Sequence, residues 1–166
     1  MNTLLTDIAG IRVGSAHHEA LASGVSVVLF ERPATASIAI LGGAPGTRDT
    51  ALLEPEMTVE QIDAVVIVPQ AIIFDLLNGG NKNSLKDPSS HLYHDLGLKA
   101  LHNAESHFSL GSHGAGYGAT LPDLKGGLGS ASAVLPDGSR IGALVVVNAV
   151  GQVTIGNGPH FWAAPY

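Results

Sequence analysis

Four histidines crowd one short stretch of this 166-residue sequence: His91, His94, His102 and His107. Helical spacing sets His91 and His94 on one face, the arrangement by which two imidazoles can share a metal. No carboxylate completes a His-Glu-x-x-His pattern, and solvated helix histidines account for the run, so no metal is expected. Glycine forms the second cluster. Gly111 to Gly129 holds seven, with Gly114, Gly116 and Gly118 alternating in Gly-Ala-Gly-Tyr-Gly. Such a backbone can cradle a phosphate, but no strand clearly precedes it and no P-loop Lys-Ser/Thr pair follows. Close backbone packing beside a substrate is the better reading. Lys125, in Leu-Lys-Gly-Gly-Leu, reads from its neighbours as a solvated surface charge. Asn148 follows the apolar run 144–147 and, on the same basis, reads as a turn residue whose amide bonds local backbone. The sequence has no cysteine, which excludes disulfide and thiolate chemistry.

The elements that must hold these residues follow from hydrophobic pattern and turn chemistry. Residues 7–14 read as a turn and a short strand, and residues 26–30 as a β-branched strand that Pro33 ends. Residues 37–41 read as another strand, and residues 41–49 as a loop, because three glycines and a proline punctuate them. Thr58-Val-Glu-Gln61 has the pattern of a capping box, predicting a helix start. Residues 65–68 read as a buried strand and 71–77 as a second apolar stretch, with Phe74 in the core. The polar stretch 78–90 reads as a surface loop. Ser90 is placed to cap a helix running to about Glu105, its apolar face marked by Leu92, Leu96, Leu101 and Ala104. Residues 130–135 and 141–147 read as a hairpin closed by Pro136-Asp-Gly-Ser139. The second of these is the most apolar strand of the chain and is expected to be buried. Residues 152–155 read as a last short strand, before an apolar end that looks as if it expects more chain.

Length fits one domain, residues 1–166. Hydrophobic residues make up 45% and charged residues 13%, so a core is affordable while little charge is left for the surface. Either other subunits or a further segment cover part of that surface, or the chain is simply a compact α/β protein. The net charge is −6 without a Lys/Arg cluster, which argues against nucleic acid and anionic membranes as partners. No signal peptide and no apolar run of spanning length are visible, so a cytoplasmic protein is expected.

Four colinear segments resemble one family. They are Thr6-Asp-Ile-Ala-Gly-Ile-Arg-Val-Gly14, Leu41-Gly-Gly-Ala-Pro-Gly-Thr-Arg-Asp-Thr50 with Leu52-Leu-Glu-Pro55, Val68-Pro-Gln-Ala-Ile-Ile-Phe-Asp75, and the glycine-rich 114–130 continuing into Gly142-Ala-Leu-Val-Val-Val-Asn-Ala-Val-Gly151. Together they resemble the L-aminopeptidase/D-esterase family of self-processing hydrolases, which includes β-aminopeptidases and nylon-oligomer hydrolases. The resemblance implies an α/β fold, a four-layer α/β/β/α sandwich, of which this chain is the N-terminal (α) part and incomplete without a C-terminal segment. It implies an aminopeptidase or amidase that releases N-terminal residues from small peptides, amides or esters. The precursor cuts itself before a Ser or Thr, and that residue becomes the nucleophile of a second (β) polypeptide. αβ units then form a homo-oligomer, and no cofactor is needed. A residue at a chain N-terminus carries its own base, because a free α-amino group titrates near neutrality. The alternatives are a nylon-oligomer-type amidase and a non-catalytic truncated fragment or assembly subunit.

The family pattern assigns roles residue by residue. Asn148 matches an Asn that helps bind the oxyanion, a task for a rigidly placed donor. Lys125 falls where the nylon-hydrolase branch has a Lys near the nucleophile, where a cation lowers the pKa of a nearby amine or hydroxyl. Gly114, Gly116 and Gly118 would be backbone of the substrate pocket. Phe74 matches a Tyr of that branch and cannot donate its hydrogen bond. The nucleophile is expected to be absent from this chain, which on this reading is inactive alone. Asn83–Ser84 and Gly129–Ser130 are internal dipeptides of the right type for self-cleavage, the latter expected just before a strand, but internal cleavage is not expected. The family also has a Gly/Ser-rich turn and a long helix between the positions of Asp63 and Val68. Here Ala64-Val-Val-Ile67 runs straight on.

Overall fold

The computed structural model describes residues 3–37, 47–48, 61–62, 70–83 and 91–164. Among these residues helix and strand are mixed, and the strands form four two-stranded antiparallel pairs.

The β-branched run after Gly24 belongs to a long hairpin. β1 (Ile11–His18) and β2 (Ser23–Phe30) pair along their full length, with Ile11 opposite Phe30 and His18 opposite Ser23. A 3-10 turn at Glu19–Leu21 joins them, ended by Ala22 in the left-handed region at φ 48°. A non-glycine residue is uncommon there, and its surroundings over-determine it. The Lys82 ammonium donates to the carbonyls of Leu21 and Ala22, and Asn81 N–H donates to Ala20 O at 2.7 Å.

α1 (Leu92–His102) lies across this hairpin. Leu92, Leu96 and Ala100 are four residues apart and therefore form one stripe. Leu96 and Ala100 are buried with Ala16, and Val25, Val27 and Leu92 pack around them. The helix can approach because Gly14 has no side chain: a Cβ there would run into the Ala100 carbonyl oxygen. The helix is shorter than its pattern predicts, since Leu101 is exposed and the chain turns at Asn103. Glu105 then exchanges backbone hydrogen bonds with Val13 on the free edge of β1.

The second long hairpin is β7 (Gly127–Val134) with β8 (Arg140–Val147), Gly127 opposite Val147 and Val134 opposite Arg140. The predicted turn is present: Gly138 takes φ 86° and Asp137 Oδ1 accepts the Ser139 N–H at 2.9 Å. One face of the pair carries Ser130 and Ser132, and the opening motif packs on it. Leu5 N–H donates to Ser130 Oγ at 2.7 Å, and Ser132 Oγ donates to Asp7 Oδ2 at 2.6 Å. Asp7 also accepts the Leu4 N–H at 3.0 Å, closing the 3-10 turn Leu5–Asp7. The opposite face has only Gly127, Gly129, Ala131 and Ala133 alongside Ile141, Ala143, Val145 and Val147. Ile141 and Val145 are more than half exposed on it. So β8 is not buried as its composition predicts; an apolar strand needs a cover, and over Ile141 and Val145 the described residues leave the face open.

Short pairs account for the rest. β3 (Ala34–Thr35) pairs with β5 (Gln61–Ile62), and β4 (Thr47–Arg48) with β6 (Gln70–Ala71). The capping-box expectation fails at its last position, because Gln61 is in a strand: pairing with Thr35 overrides a local pattern. Thr47–Arg48 likewise breaks the loop expected over 41–49. Of the strands expected at 37–41 and 65–68, the second and all but the first residue of the other lie outside the described residues. After β6 the chain is irregular, and Phe74 is exposed rather than core, since this segment turns its backbone inward and its ring outward. The strand expected at 152–155 is a single bridge, Thr154 to Phe161, around a loop containing Gly156 and Gly158. No helix among the described residues is long and apolar enough to cross a membrane.

Candidate active site

Asn148 is the first residue after β8, and three residues from two other segments converge on its amide. Its Oδ1 accepts the Thr120 N–H at 2.9 Å and a hydrogen from Asn78 Nδ2 at 3.3 Å. Its Nδ2 donates to the Phe74 carbonyl at 2.9 Å. A backbone N–H can only donate and a carbonyl can only accept, so these partners fix which end of the amide is which. The partners are 28, 70 and 74 residues away in the chain, so the side chain is not bonding a local turn. Asn148 is half-buried, and its second Nδ2 hydrogen has no protein acceptor among the described residues. What holds the amide is this set of hydrogen bonds rather than burial of the strand before it.

Lys125 belongs to the same neighbourhood. Residues 119–126 fold back tightly: Leu121 N–H donates to Leu124 O at 2.8 Å, Gly126 N–H to Ala119 O at 2.9 Å, and Thr120 bridges Lys125. The residue that donates to Asn148 is therefore paired with Lys125. The Lys125 ammonium lies 4.9 Å from the centre of the Tyr117 ring, a cation–π contact. Tyr117 in turn stacks on His17, ring centres 4.2 Å apart and planes 7° from parallel, and His113 meets His17 edge-on. Burial pushes the His17 imidazole below its ordinary pKa, and the charges of His113 and Lys125 push it the same way, against Glu19.

The three glycines are all buried, and protein occupies the space that a side chain would need. Gly114, at φ 51°, abuts the Ser15 and Ser26 hydroxyls, and Gly116 abuts the backbone at Leu128. Gly118 abuts Ala22 and Asp75, and its carbonyl accepts from Asn78 Nδ2 at 2.9 Å, which ties it to the Asn148 cluster. Ser130 lies inside β7 rather than just before it, and its Oγ donates to Ala143 O at 2.9 Å. His91 and His94 have ring centres 6.3 Å apart, with His94 beside Asp95, while His102 sits at the far end of α1. Among the described residues no three His, Asp or Glu side chains converge as metal ligands.

Two concavities flank these groups. One, of about 480 Å³, is lined by Ser15, His17, His102, Glu105, Phe108 and His113. The other, of about 730 Å³, is apolar and is lined by Lys125, Leu121, Leu128, Val147, Phe161 and Trp162. The second opens between Lys125 and the residue before Asn148. Sequence reasoning missed Asn78, Thr120 and the Phe74 carbonyl. Asn78 precedes Gly79-Gly80 and looks like any loop residue, and the other two contribute backbone atoms, which leave no mark in a sequence.

The model of peptidase family S58 matches residues 3–94 and 81–163 of this chain. An uncharacterized aminopeptidase of Mycobacterium tuberculosis (strain ATCC 25618 / H37Rv) is 35% identical over 197 residues, covering 92% of this chain and 54% of the relative. An uncharacterized aminopeptidase of Mycobacterium bovis matches to the same extent. One of Mycobacterium leprae is 34% identical over 200 residues, with the same coverage. The chain spans about half the length of the curated relatives it matches. The aligned stretch of 197 positions exceeds the whole 166-residue chain, so the relatives carry residues within it that have no counterpart here.

Proposed function

The chain belongs to peptidase family S58, and from that premise we propose that it is the α part of a self-processed N-terminal-nucleophile aminopeptidase, in which Asn148 stabilises the oxyanion. The observation that carries this reading is the Asn148 amide. It is locked by Thr120, Asn78 and Phe74, and among the described residues its second Nδ2 hydrogen meets no acceptor, which suits it to a ligand. A donor that need not reorient as charge grows on a carbonyl oxygen lowers the barrier more than it tightens ground-state binding. Nucleophile and general base would come from a segment corresponding to the rest of the relatives, of which this chain covers 54%. Substrates would be small N-terminal aminoacyl peptides, amides or esters, with Lys125 next to the site and the Gly118 backbone shaping it.

The exposed face of β7 and β8 supports a four-layer sandwich for the whole protein. The eight positions on that face, four alternate ones on each strand, bear only Gly, Ala, Val or Ile. Such a face packs against a second sheet about 10 Å away. We assign that sheet to the second polypeptide of the same precursor, with αβ units assembling further. A second reading, an amidase for uncharged non-peptide oligomers, is favoured by the apolar groove beside Lys125, which offers room for an alkyl chain.

A panel of L-, D- and β-aminoacyl p-nitroanilides, with an aliphatic oligoamide, tests both. The whole protein is expected to release p-nitroaniline after a cut before a Ser or Thr, seen by mass spectrometry, and residues 1–166 alone are expected to release none. Equal turnover by residues 1–166 overturns the division of labour. Turnover of the oligoamide alone selects the second reading.

A further inference from the structure

We propose that Asn78 is a positioning residue for this reaction, whose side-chain amide helps hold the Asn148 amide in the orientation that the Thr120 N–H and the Phe74 carbonyl impose. The inference rests on the oxyanion reading of Asn148 given above. Asn78 Nδ2 faces three acceptors: Gly118 O at 2.9 Å, Phe74 O at 3.2 Å and Asn148 Oδ1 at 3.3 Å. Asn78 Nδ2 has two hydrogens for these three acceptors, so one is shared; because the Phe74 carbonyl also accepts from Asn148 Nδ2, the two amides and that carbonyl form a ring of contacts. Turning the Asn148 amide over would set its Nδ2 against two donors, Thr120 N–H and Asn78 Nδ2, and its Oδ1 against a carbonyl oxygen. All three contacts would become repulsive, so the ring selects one orientation.

Asn78 is itself fixed. Its N–H donates to Asp75 O at 3.0 Å, and the Asp75 carboxylate is buried 3.9 Å from the Lys82 ammonium. Lys82 and Asn81 dock on the turn between β1 and β2, at Ala20, Leu21 and Ala22. The segment that presents Asn78 is thus fastened to the first hairpin, while Asn148 stands at the end of the second. Asn78 joins the two and does not itself need to touch substrate.

The test uses the whole protein and an aminoacyl p-nitroanilide, with Asn78→Ala, Asn78→Asp, Asn78→Gln, Asn148→Ala and the double variant Asn78→Ala/Asn148→Ala, each checked for processing and melting temperature. Asn78→Ala is expected to lower kcat roughly 10-fold at unchanged KM, the scale of one lost hydrogen bond. Asn78→Asp keeps the shape but faces Asn148 Oδ1 with a carboxylate, so it is expected to be worse than Ala. Asn78→Gln, which restores the amide, is expected to recover part of the rate. The double variant is expected to be no slower than Asn148→Ala. If Asn148→Ala is impaired while Asn78→Ala and Asn78→Asp turn over normally, the positioning role is wrong and the oxyanion reading stands. A full additional loss in the double variant, or an effect confined to KM or to melting temperature, also overturns the positioning role. Should Asn78→Ala fail to fold, the isosteric Asn78→Asp carries the test. Normal turnover by Asn148→Ala defeats the oxyanion reading itself.

Discussion

The Thr120 N–H points at Asn148 Oδ1 from 2.9 Å, across 28 residues of chain. That bond joins the glycine-rich loop, which also carries Lys125, to the end of the β7–β8 hairpin. It gives the oxyanion reading a geometric basis that neither residue has alone, because a donor is only as well placed as its own acceptor is held.

The first prediction concerns this amide. In the whole protein Asn148→Ala is expected to lower kcat about 100- to 1000-fold, with KM changed far less. Self-cleavage passes through a similar oxyanion, so processing is checked by gel before rates are compared. A fully processed variant with near-normal kcat and a lowered melting temperature would make Asn148 a structural residue.

How much of this was legible beforehand depends on what kind of atom does the work. β2, α1 and the β7–β8 hairpin follow from β-branched runs, a stripe at four-residue spacing and an Asp-Gly turn. Asn148 and Lys125 stand out only through the family pattern, since either residue alone reads as turn or surface. Thr120 and Phe74 act through backbone, and backbone is the same in every residue. The apolar run of β8 was legible as a surface that needs covering, but not as one left open by the described residues. Phe74 reads as core in the sequence for a related reason: hydrophobicity says that a ring prefers burial, not which atoms of an irregular segment face inward.

A second prediction separates two glycines. Gly14→Ala is expected to destabilise by about 1–3 kcal/mol, because its methyl collides with the backbone of Ala100 and Ala104 and α1 must lift from β1. Gly97→Ala, inside α1 with open space around it, is expected to stabilise by up to about 1 kcal/mol. Urea midpoints of the two variants should move in opposite directions.

A third prediction concerns the opening motif. The Asp7 carboxylate is held below its ordinary range, first by the Ser132 hydroxyl and then by the Leu4 N–H, with Arg140 and His107 assisting. A depressed carboxylate contributes stability above its unfolded pKa of 3.8, and loses it as pH falls through the folded value. Ser132→Ala should therefore raise the Asp7 pKa, lower the urea midpoint at neutral pH, and differ progressively less from the parent protein as the solution is acidified. A difference that stays constant into acid would mean that the hydroxyl acts only by packing.

The last prediction follows His17. Its imidazole is stacked on Tyr117 and half-buried, and its pKa is depressed from 6.5 first by burial and then by His113 and Lys125. The sign runs opposite to that of Asp7. Below the folded pKa both folded and unfolded chains carry the proton, and the fold bears the cost of a charged ring in that site. Between the folded value and 6.5 the unfolded chain binds more protons than the folded one, so stability rises with pH. Above that window both are neutral and the dependence ends. The melting temperature should thus climb as pH rises towards 6.5, and His17→Phe, which keeps a ring for Tyr117 to stack on but cannot titrate, should flatten the climb. Lys125→Met removes one of the charges that depress the group while leaving the stack in place. The His17 resonances followed by NMR should then titrate at a higher pH than in the parent protein. If Lys125→Met leaves that titration unmoved, the ammonium does not depress His17, and burial and His113 account for the shift.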